Sequence, residues 1–537
     1  MLYLKNRRIV RFSSFFIFLF ILSCSTITTG PGSIHSNLSA IKTPIEQQFI
    51  LDSTKVGVST IIDKLNVPWE ITWGPDNWIW YTEQSGTVSK VNPTTGEKKL
   101  LLTIPEVYRY RTLGLLCMAL HPNFKKQPFV FLNYTFKQDT KLTSRWVRYT
   151  YSNDILSNPL ILMEVPADVG HNGSRMAFAP DGKLMLATGD ADVNNNEQNG
   201  GNAQKDNVLS GKILRINIDG TVPRDNPIPG NPVWAKGFRV PQGMVYAANG
   251  NLYTAEHGDA TDDEINLITK SGNYGYPNVA GKCNLPHEKT FCDQHAVIEP
   301  LMAWTPTIAP AGIDYYNATA IPEWQNSLLL TTLKETDFRV LKLNKAGNTI
   351  VSEQIYLDKE FGRLRDVCVA PNGDIYISTS NRDWNPAKGF PQENDDRIIR
   401  LFKIKENDTY ASNFKDIAST ETKPNEILPN AGAQVYTKYC VSCHKEDGNG
   451  VAGTFPPLTE AEQVTGDKQR LISIVLQGLA GPIIVKGKEY NQQMPAFHFL
   501  SDPEIADVLT YVRAEFGKGA SSISREEVEK ARLGKAN

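Results

Sequence analysis

Short stretches of alternating apolar and polar residues recur along most of the chain, each preceded by a turn containing Pro, Asp, Asn or Gly. Alternation with a period of two is typical of half-buried β-strands, and such turn residues mark where strands end. The clearest copies are GPDNWIWYTE from Gly74, APDGKLMLATGD from Ala179, AANGNLYTAEHGD from Ala247 and APNGDIYISTS from Ala370. The pattern predicts an all-β domain over residues 46–405.

The spacing of these copies indicates how the strands are arranged. They lie roughly 65 to 125 residues apart, which is too irregular for a strict solenoid. Unequal intervals suit the blades of a β-propeller, whose loops differ in length around a common axis. A large β-sandwich would also produce short strands between turns and stays open as an alternative. We favour the propeller.

The apolar period changes to about 3.6 residues beyond residue 429, which indicates helices. One apolar stripe consists of Ile505, Val508, Leu509, Val512 and Phe516. Ser501 and Glu504 have the spacing of a capping box, with Pro503 at an early helical position. We predict a small all-α domain over residues 430–518. A polar linker at 406–429 would precede it and a polar tail at 519–537 would follow it.

Composition and charge exclude little. Hydrophobic residues make up 41% of the chain and charged residues 21%, which is ordinary for a globular protein. The formal net charge of −2 provides no overall positive field of the kind that attracts nucleic acid. We therefore expect no nucleic-acid partner.

The N-terminus has the layout of an export signal. Basic residues precede the apolar run Phe15–Leu22, namely Lys5, Arg7, Arg8 and Arg11. A run of about eight apolar residues is much shorter than the roughly 20 that span a bilayer. The sequence therefore predicts a signal peptide over residues 1–24 and a flexible tether over residues 25–45. The mature protein would lie in the periplasm or elsewhere in the cell envelope.

Cys24 follows the apolar run directly and resembles the lipobox cysteine of bacterial lipoproteins, which becomes the lipidated first residue. Leu22 stands where a small or β-branched residue is usual, so cleavage without lipidation stays open. We expect lipidation at Cys24 and contact with the membrane through this anchor alone.

The remaining cysteines differ in their surroundings. Cys283 and Cys292 are nine residues apart in a polar loop, where a local disulfide is plausible outside the cytoplasm. Cys117 and Cys368 lie in apolar runs, which favours buried thiols.

Cys440, Cys443 and His444 form a C-x-x-C-H motif, the pattern for covalent haem attachment with the histidine as an iron ligand. A zinc or redox pair is the alternative, but no second cysteine pair follows. Met494 lies before the last helical stripe and could be the second axial ligand, with His498 as a rival. Residues 430–516 resemble class I cytochromes c.

Seven segments of the β domain together resemble the soluble quinoprotein glucose, aldose and sorbosone dehydrogenases over about residues 60–403. They are PWEITWGPDNWIWYTE from Pro68, LGLLCMALHPNF from Leu113, GHNGSRMAFAPDGKLMLATGD from Gly170, GFRVPQGM from Gly237, DDEINLITKSGNYGYPNVAG from Asp262, PTIAP from Pro306 and GRLRDV from Gly362. The resemblance implies a six-bladed propeller that holds pyrroloquinoline quinone (PQQ) and calcium at its axis.

The resemblance also implies catalytic roles. His171 matches the general base that takes the proton of the sugar C1 hydroxyl, a task suited to an imidazole. Asp190 matches the carboxylate that orients this imidazole. Arg239 would stabilise charge on the quinone oxygens as the hydride arrives.

Cofactor contacts follow from the same resemblance. Lys334, Arg363 and Arg365 match the cations that hold the tricarboxylate quinone, although the two arginines could also be a solvated strand face. Gly258 and Asp259 match the positions whose backbone carbonyls bind calcium. The neighbouring acidic residues lack EF-hand spacing and would instead brace the loop, namely Asp262, Asp263 and Glu264.

Three positions depart from the family pattern. Val240 replaces an asparagine beside the quinone, Thr112 replaces a glutamine or acidic residue that meets the sugar, and Gly170 replaces an acidic neighbour of the base. These changes leave the cofactor prediction in place and put the identity of the substrate in doubt.

The sequence thus predicts a dehydrogenase that converts an aldose or a related sugar to its lactone and sends electrons to its own haem and then to an external acceptor. Fusion would give the haem an effective concentration on the order of millimolar. Two alternatives remain. One is a propeller that binds glycans or proteins beside a haem sensor, and the other is a dehydrogenase of a non-sugar alcohol.

Overall fold

The computed structural model describes residues 43–533, apart from 192–200, 260, 285, 418–430, 452, 480 and 499. The predicted signal peptide, Cys24 and nearly all of the predicted tether lie outside the described residues. Among the residues described, no helix combines the length and the apolarity that crossing a bilayer requires.

Five consecutive antiparallel four-stranded sheets form the first five blades. Blade 1 contains β3 (Pro68–Trp73), β4 (Ile79–Glu83), β5 (Thr87–Val91) and β6 (Lys98–Thr103). Blade 2 contains β7 (Leu115–Leu120), β8 (Phe129–Gln138), β9 (Lys141–Ser152) and β10 (Ile155–Pro166). Blade 3 contains β11 (Gly173–Phe178), β12 (Leu184–Thr188), β13 (Lys212–Ile216) and β14 (Val233–Lys236).

The next two blades follow the same order. Blade 4 contains β15 (Val240–Tyr246), β16 (Leu252–His257), β17 (Asp263–Ile268) and β18 (Met302–Trp304), with helix α1 (Pro286–His295) before β18. Blade 5 contains β19 (Pro310–Tyr316), β20 (Ser327–Thr332), β21 (Phe338–Leu343) and β22 (Ile350–Tyr356). Short 3₁₀ turns occur at Gly201–Gln204 and Pro322–Trp324.

Blade 6 closes the ring with strands from both ends of the β domain. Its strands are β23 (Leu364–Val369), β24 (Ile375–Thr379), β25 (Ile398–Lys403), β2 (Lys55–Ile62), β1 (Ile45–Ile50) and β26 (Tyr410–Asp416). β2 pairs antiparallel with β25. The first strands of the six blades contact one another in cyclic order around the axis. The fold is therefore a six-bladed propeller, as predicted, and the β-sandwich alternative is wrong.

Strand β26 corrects the predicted linker at 406–429. It pairs in parallel with β1, so the first part of this segment belongs to the propeller. Its side chains are mostly exposed, and the two strands are joined through backbone hydrogen bonds. Backbone pairing of this kind leaves no hydrophobic alternation in the sequence, so the sequence pattern alone predicts a linker here.

The C-terminal domain is helical, as predicted. It contains α2 (Ala431–Tyr439), α3 (Val441–His444), α4 (Glu462–Thr465), α5 (Lys468–Gln477), α6 (Asp502–Glu515) and α7 (Arg525–Leu533), with a hairpin of β27 (Ile483–Val485) and β28 (Lys488–Tyr490). The predicted capping box forms at Ser501 and Glu504. The predicted stripe on α6 is buried in the core of this domain.

Helix α7 corrects the predicted polar tail at 519–537. Val528 is fully buried in the core, and the Arg532 guanidinium donates to the Asp502 carboxylate and to the backbone oxygens of His498 and Leu500. Val528, the partly buried Ala531 and a few polar contacts are enough to dock this short helix. Such a weak pattern does not stand out in the sequence of REEVEKARL.

Candidate functional site

His171 and Asp190 form a close pair at the start of blade 3. His171 lies in the loop before β11 and Asp190 just after β12, with 2.9 Å between His171 Nδ1 and Asp190 Oδ1. A Cβ atom on Gly189 would lie 2.1 Å from the His171 carbonyl oxygen, so only glycine allows this approach. If Nδ1 carries the proton shared with Asp190, Nε2 is left to accept a proton from a substrate.

Tyr276 is a third member of this group. Its hydroxyl donates to Asp190 Oδ2 at 2.8 Å, so the buried carboxylate joins the phenol to the imidazole. Burial and the nearby Asp190 charge raise the pKa of Tyr276, so its hydroxyl keeps its proton. Tyr276 therefore acts as a positioning residue for Asp190.

Replacing this phenol tests its role. In Tyr276→Phe, Asp190 loses a donor that shares its negative charge, so the carboxylate holds a proton on the His171 ring more strongly. Because one hydrogen bond contributes about 1 kcal/mol, we expect the acidic limb of the kcat–pH profile to move up by about 0.7 pH unit.

Tyr253→Phe is the matched control, because it removes another buried hydroxyl of this part of the propeller, one that donates to the Gly347 carbonyl. We expect its pH profile to match that of the wild type. If Tyr276→Phe also left the profile in place while lowering thermal stability, the phenol would be a structural group only.

Arg239 connects the His171–Asp190 pair to the predicted quinone-binding cations, which together are here called the cationic groove. The Asp190 backbone N–H donates to the Arg239 carbonyl at 2.9 Å. The Arg239 guanidinium donates to the Gly258 carbonyl at 2.6 Å and to Asp259 Oδ1 at 2.9 Å. Two residues predicted as calcium-binding are thus in contact with the predicted quinone-binding arginine.

The other predicted cations come together at blades 5 and 6. Arg363 donates to Asp383 through Nε and Nη2, and its Nη1 donates to the carbonyl of Leu333, next to Lys334. The guanidinium carbon of Arg365 lies 3.7 Å from the ring centroid of Trp69. Both arginines are buried, so the alternative of a solvated strand face is wrong.

The donor groups of this groove fit an anionic, oxygen-rich ligand. Two buried guanidinium nitrogens of this groove lack a hydrogen-bond partner among the described residues, namely Arg239 Nε and Arg365 Nε. Buried donors normally have hydrogen-bond partners, and a buried donor left without a partner costs about 1–3 kcal/mol. A polycarboxylate with quinone oxygens could accept from these groups, so the residues present fit PQQ.

Electrostatics support the same interpretation. Burial lowers the pKa of Arg365 to about 9, although Asp383 opposes this effect. Burial, with Arg365 and Arg239 nearby, lowers the pKa of His257 to about 3, so this ring is neutral at physiological pH. Both shifts have the direction expected of a desolvated site with surplus positive charge.

Asp263 braces the loops around Gly258, as predicted. Its carboxylate accepts from the backbone N–H groups of Gly258, Ile308 and Ala309 at 2.5 to 2.7 Å. Glu264 accepts from the Gly281 N–H, and Asp262 from the Thr305 hydroxyl. In the described part of the chain, no three His, Cys, Asp or Glu side chains cluster in a way that could hold a metal. The backbone-carbonyl calcium site stays a prediction.

The positions that depart from the family pattern lie beside His171 and the cationic groove. The Thr112 hydroxyl donates to the Gly170 carbonyl at 2.5 Å and accepts from Asn172 Nδ2 at 3.3 Å, so it ties down the loop of His171. Val240 is buried, and its N–H donates to Glu256 Oε1. A direct contact of Thr112 with substrate stays a prediction.

The haem motif lies on the wall of an apolar cavity. Cys440, Cys443, His444 and Met494 all line it, whereas His498 does not. His444 Nδ1 lies 3.0 Å from the Pro456 carbonyl oxygen, which leaves Nε2 for iron. The backbone of Met494 is held by paired hydrogen bonds to Leu479. This arrangement fits a covalent haem and favours Met494 over His498.

A cleft of about 1480 Å³ lies between the propeller and the haem domain. Its walls include Arg239, Gly258 and Asp259 on one side and Gln492 and Met494 on the other. Thr305 and Pro306 also reach the apolar cavity of the haem motif. The loop that carries the predicted methionine ligand therefore faces the groove of the propeller.

Cys283 and Cys292 are disulfide-bonded, as predicted, with their Cα atoms 6.4 Å apart. Cys117 and Cys368 are buried free thiols, also as predicted.

Sequence reasoning missed several groups of the site. His257 lies directly before Gly258 in AEHGD, so its position could have identified it. Tyr276, Trp69 and Asp383 carry no such signal, because each reaches the site from another blade or loop.

Comparison with known proteins identifies relatives of both domains. A family model described as Glucose / Sorbosone dehydrogenase matches residues 65–385, and one described as Cytochrome c matches residues 429–514. Quinoprotein glucose dehydrogenase B of Acinetobacter calcoaceticus is 32% identical over 403 residues, covering 59% of this chain and 84% of that protein. Cytochrome c-552 of Thermus thermophilus is 40% identical over 113 residues, covering 19% of this chain and 86% of that protein.

A solved structure is similar as well. The PQQ-bound form of an aldose sugar dehydrogenase from Streptomyces coelicolor superimposes with a TM-score of 0.56 and 30% identity, covering 65% of this chain and 98% of that one.

Proposed function

Because the chain belongs to the Glucose / Sorbosone dehydrogenase family and carries a cytochrome c domain, we propose that it oxidises the C1 hydroxyl of an aldose or related sugar to a lactone. The observation that carries this proposal is the His171–Asp190 pair, which is hydrogen-bonded through Asp190 to the Arg239 backbone at the edge of the cationic groove.

Each residue of the site has a separate role in this proposal. His171 Nε2 takes the proton of the C1 hydroxyl, and Asp190 stabilises the charged imidazole that results. Arg239, Arg363, Arg365 and Lys334 hold the anionic cofactor, and calcium would bind the carbonyls of Gly258 and Asp259. PQQ, when bound, would accept the hydride that leaves C1, and its two electrons would pass singly to the haem. The products are the lactone, two protons and two electrons, because one proton comes from the C1 hydroxyl and the transferred hydride yields the second proton and both electrons.

The cleft between the domains supports electron transfer within one molecule. Met494 and Gln492 face Arg239 and Asp259 across it, so the haem domain approaches the groove from its own chain. A tethered acceptor needs no encounter with a second molecule. From the haem the electrons would leave to an external carrier.

Export and anchoring belong to the same proposal. The basic residues and apolar run before Cys24 support secretion and lipidation, and the disulfide Cys283–Cys292 fits an oxidising compartment. The enzyme would then work in the periplasm or at another face of the cell envelope. Cys24→Ala should release it from the membrane fraction into the soluble fraction, whereas an unchanged distribution would contradict the anchor.

The decisive experiment follows the visible spectrum of the purified protein, loaded with calcium and PQQ, after addition of single aldoses. We expect at least one sugar to produce the bands of reduced c-type haem without another reductant. The first-order rate constant should not change when the protein is diluted, because the transfer is intramolecular. If the haem stays oxidised with every sugar but dithionite reduces it, sugar oxidation is the wrong function.

A further inference from the structure

A short segment of the propeller lies between the cationic groove and the haem cavity. Residues 305–308 join β18 of blade 4 to β19 of blade 5. Thr305 and Pro306 line the apolar cavity of the haem motif. Thr307 accepts a hydrogen bond from the Nζ atom of Lys334, one of the predicted cofactor-binding cations, at 2.8 Å. One end of segment 305–308 therefore reaches the haem site, and the other reaches the groove.

The propeller approaches the haem cavity through this segment. Among the described residues that line the cavity, Thr305 and Pro306 are the two that belong to the propeller. Thr305 also lines the cleft between the domains, as do Gln492 and Gln493 of the haem domain. Segment 305–308 is therefore the part of the described propeller that lies against the haem site.

Hydrogen bonds hold this segment at several points. The Asp263 carboxylate accepts from the Ile308 N–H at 2.5 Å, and the Ile308 carbonyl accepts from the Lys334 N–H at 3.1 Å. The Thr305 hydroxyl donates to Asp262 Oδ1 at 3.2 Å and accepts from the Asp262 N–H at 3.1 Å. The segment is thus fixed both to the loop of the predicted calcium site and to the backbone of a predicted PQQ-binding cation.

A fixed and continuous path matters for electron transfer between two sites. The rate of electron tunnelling falls steeply with distance, and it is higher through bonded and packed atoms than across a gap. A cleft of about 1480 Å³ separates other parts of the facing surfaces. Segment 305–308 instead provides covalent bonds and packed atoms from the groove to the wall of the haem cavity.

We propose that residues 305–308 are the electron bridge between the cofactor groove and the haem, an inference that rests on the proposed function. Each of the two electrons from sugar oxidation would cross the bridge separately and reduce Fe(III) to Fe(II). An external one-electron carrier would reoxidise the iron before the second electron crosses, and both protons would go to solvent.

Thr305→Glu places a carboxylate in the apolar wall of the haem cavity. Because an unpaired charge resists burial, the segment should no longer stay packed against the haem domain, and we expect aldose-driven haem reduction to slow about 10- to 100-fold. The measurement is stopped-flow absorbance of the haem in the full-length protein loaded with calcium and PQQ. Turnover with phenazine methosulfate, a small acceptor that takes electrons from the propeller directly, should stay at the wild-type value.

Two further variants separate the bridge from general effects of the substitution. Val351→Glu places the same charge on the wall of the cleft, at a residue that is 59% exposed and does not line the haem cavity. It should keep the wild-type rate of haem reduction. Thr305→Ala removes packed atoms from the path without adding a charge, so it should slow haem reduction less than Thr305→Glu does.

The reduction potential of the haem is a second readout that requires neither sugar nor PQQ. A carboxylate at the cavity wall, and the water that it admits, stabilise the ferric iron relative to the ferrous iron. Thr305→Glu should therefore lower the potential of the cofactor-free protein, whereas Val351→Glu should change it less. An unchanged potential in Thr305→Glu would show that residue 305 does not contact the haem site.

PQQ that is reduced before mixing distinguishes this inference from the proposed function. If no sugar reduces the haem but reduced PQQ does so, at a rate that Thr305→Glu lowers, sugar oxidation is the wrong function and the bridge stands. The bridge is wrong if reduced PQQ fails to reduce the haem, or if Thr305→Glu keeps the wild-type rate of haem reduction. It is also wrong if Thr305→Glu slows phenazine methosulfate turnover and haem reduction by the same factor.

Discussion

His171→Ala should lower the rate of sugar-driven haem reduction by about 10²- to 10⁴-fold, the usual contribution of a general base. Without the imidazole, no group at this position can take the C1 hydroxyl proton while Asp190 stabilises the product charge. The measurement is the initial rate of appearance of the reduced haem bands at saturating sugar and PQQ.

Two controls distinguish this loss from a folding defect. Dithionite should reduce the haem of His171→Ala normally, because the cytochrome domain has its own core. His295→Ala changes a histidine at the end of α1, away from the base, and should keep the wild-type rate. A His171→Ala enzyme with more than a tenth of the wild-type rate would mean that another group is the base.

Arg365→Met should weaken the binding of PQQ about 10- to 100-fold. Hydrogen bonds to charged groups contribute about 1.5–3 kcal/mol each, and Arg365 has a buried Nε with no partner within the described protein. The dissociation constant can be measured by calorimetric titration of the cofactor-free protein.

Although Arg365→Met weakens PQQ binding, it should not destabilise the cofactor-free protein. Arg365 and Arg363 share Asp383, so one buried positive charge is incompletely balanced. Replacing Arg365 removes this costly charge, and Asp383 keeps its ion pair with Arg363. We expect the Tm of cofactor-free Arg365→Met to equal or exceed that of the wild type. The increase in Tm on adding PQQ should be smaller than in the wild type.

Arg339→Met is the matched control, because Arg339 is a buried arginine whose partners, Asp337 and Glu353, are both in its own blade. It should lose stability with and without PQQ. If Arg365→Met behaved in the same way, Arg365 would be a structural residue and not a cofactor ligand.

Local sequence patterns were sufficient for the two folds and for the haem attachment site. Alternation between turns identified the propeller, because each strand has one face toward a neighbouring blade. The C-x-x-C-H motif identified the haem site, because covalent attachment and ligation need these three residues within one turn of chain. The family resemblance added His171, Asp190 and the cations, each on a recognisable segment.

Sequence patterns did not predict the elements that are held in place by only a few contacts. Strand β26 is joined to β1 through its backbone, and α7 is docked by Val528 and Arg532. Neither contact produces a period in the sequence. Nothing in the sequence around Thr112 indicates that its hydroxyl holds the loop of His171 through the Gly170 carbonyl.

The sequence by itself thus determined the order of the domains, the haem motif and the kinds of residue available for catalysis. Only the tertiary structure decided that Tyr276 completes the His171–Asp190 pair, that Arg365 is buried against Trp69, and that the loop of Met494 faces the groove. The physical reason is that a propeller builds its site from the loops of separate blades. Residues more than a hundred positions apart then share one buried environment, and their charges and hydrogen bonds depend on that closure.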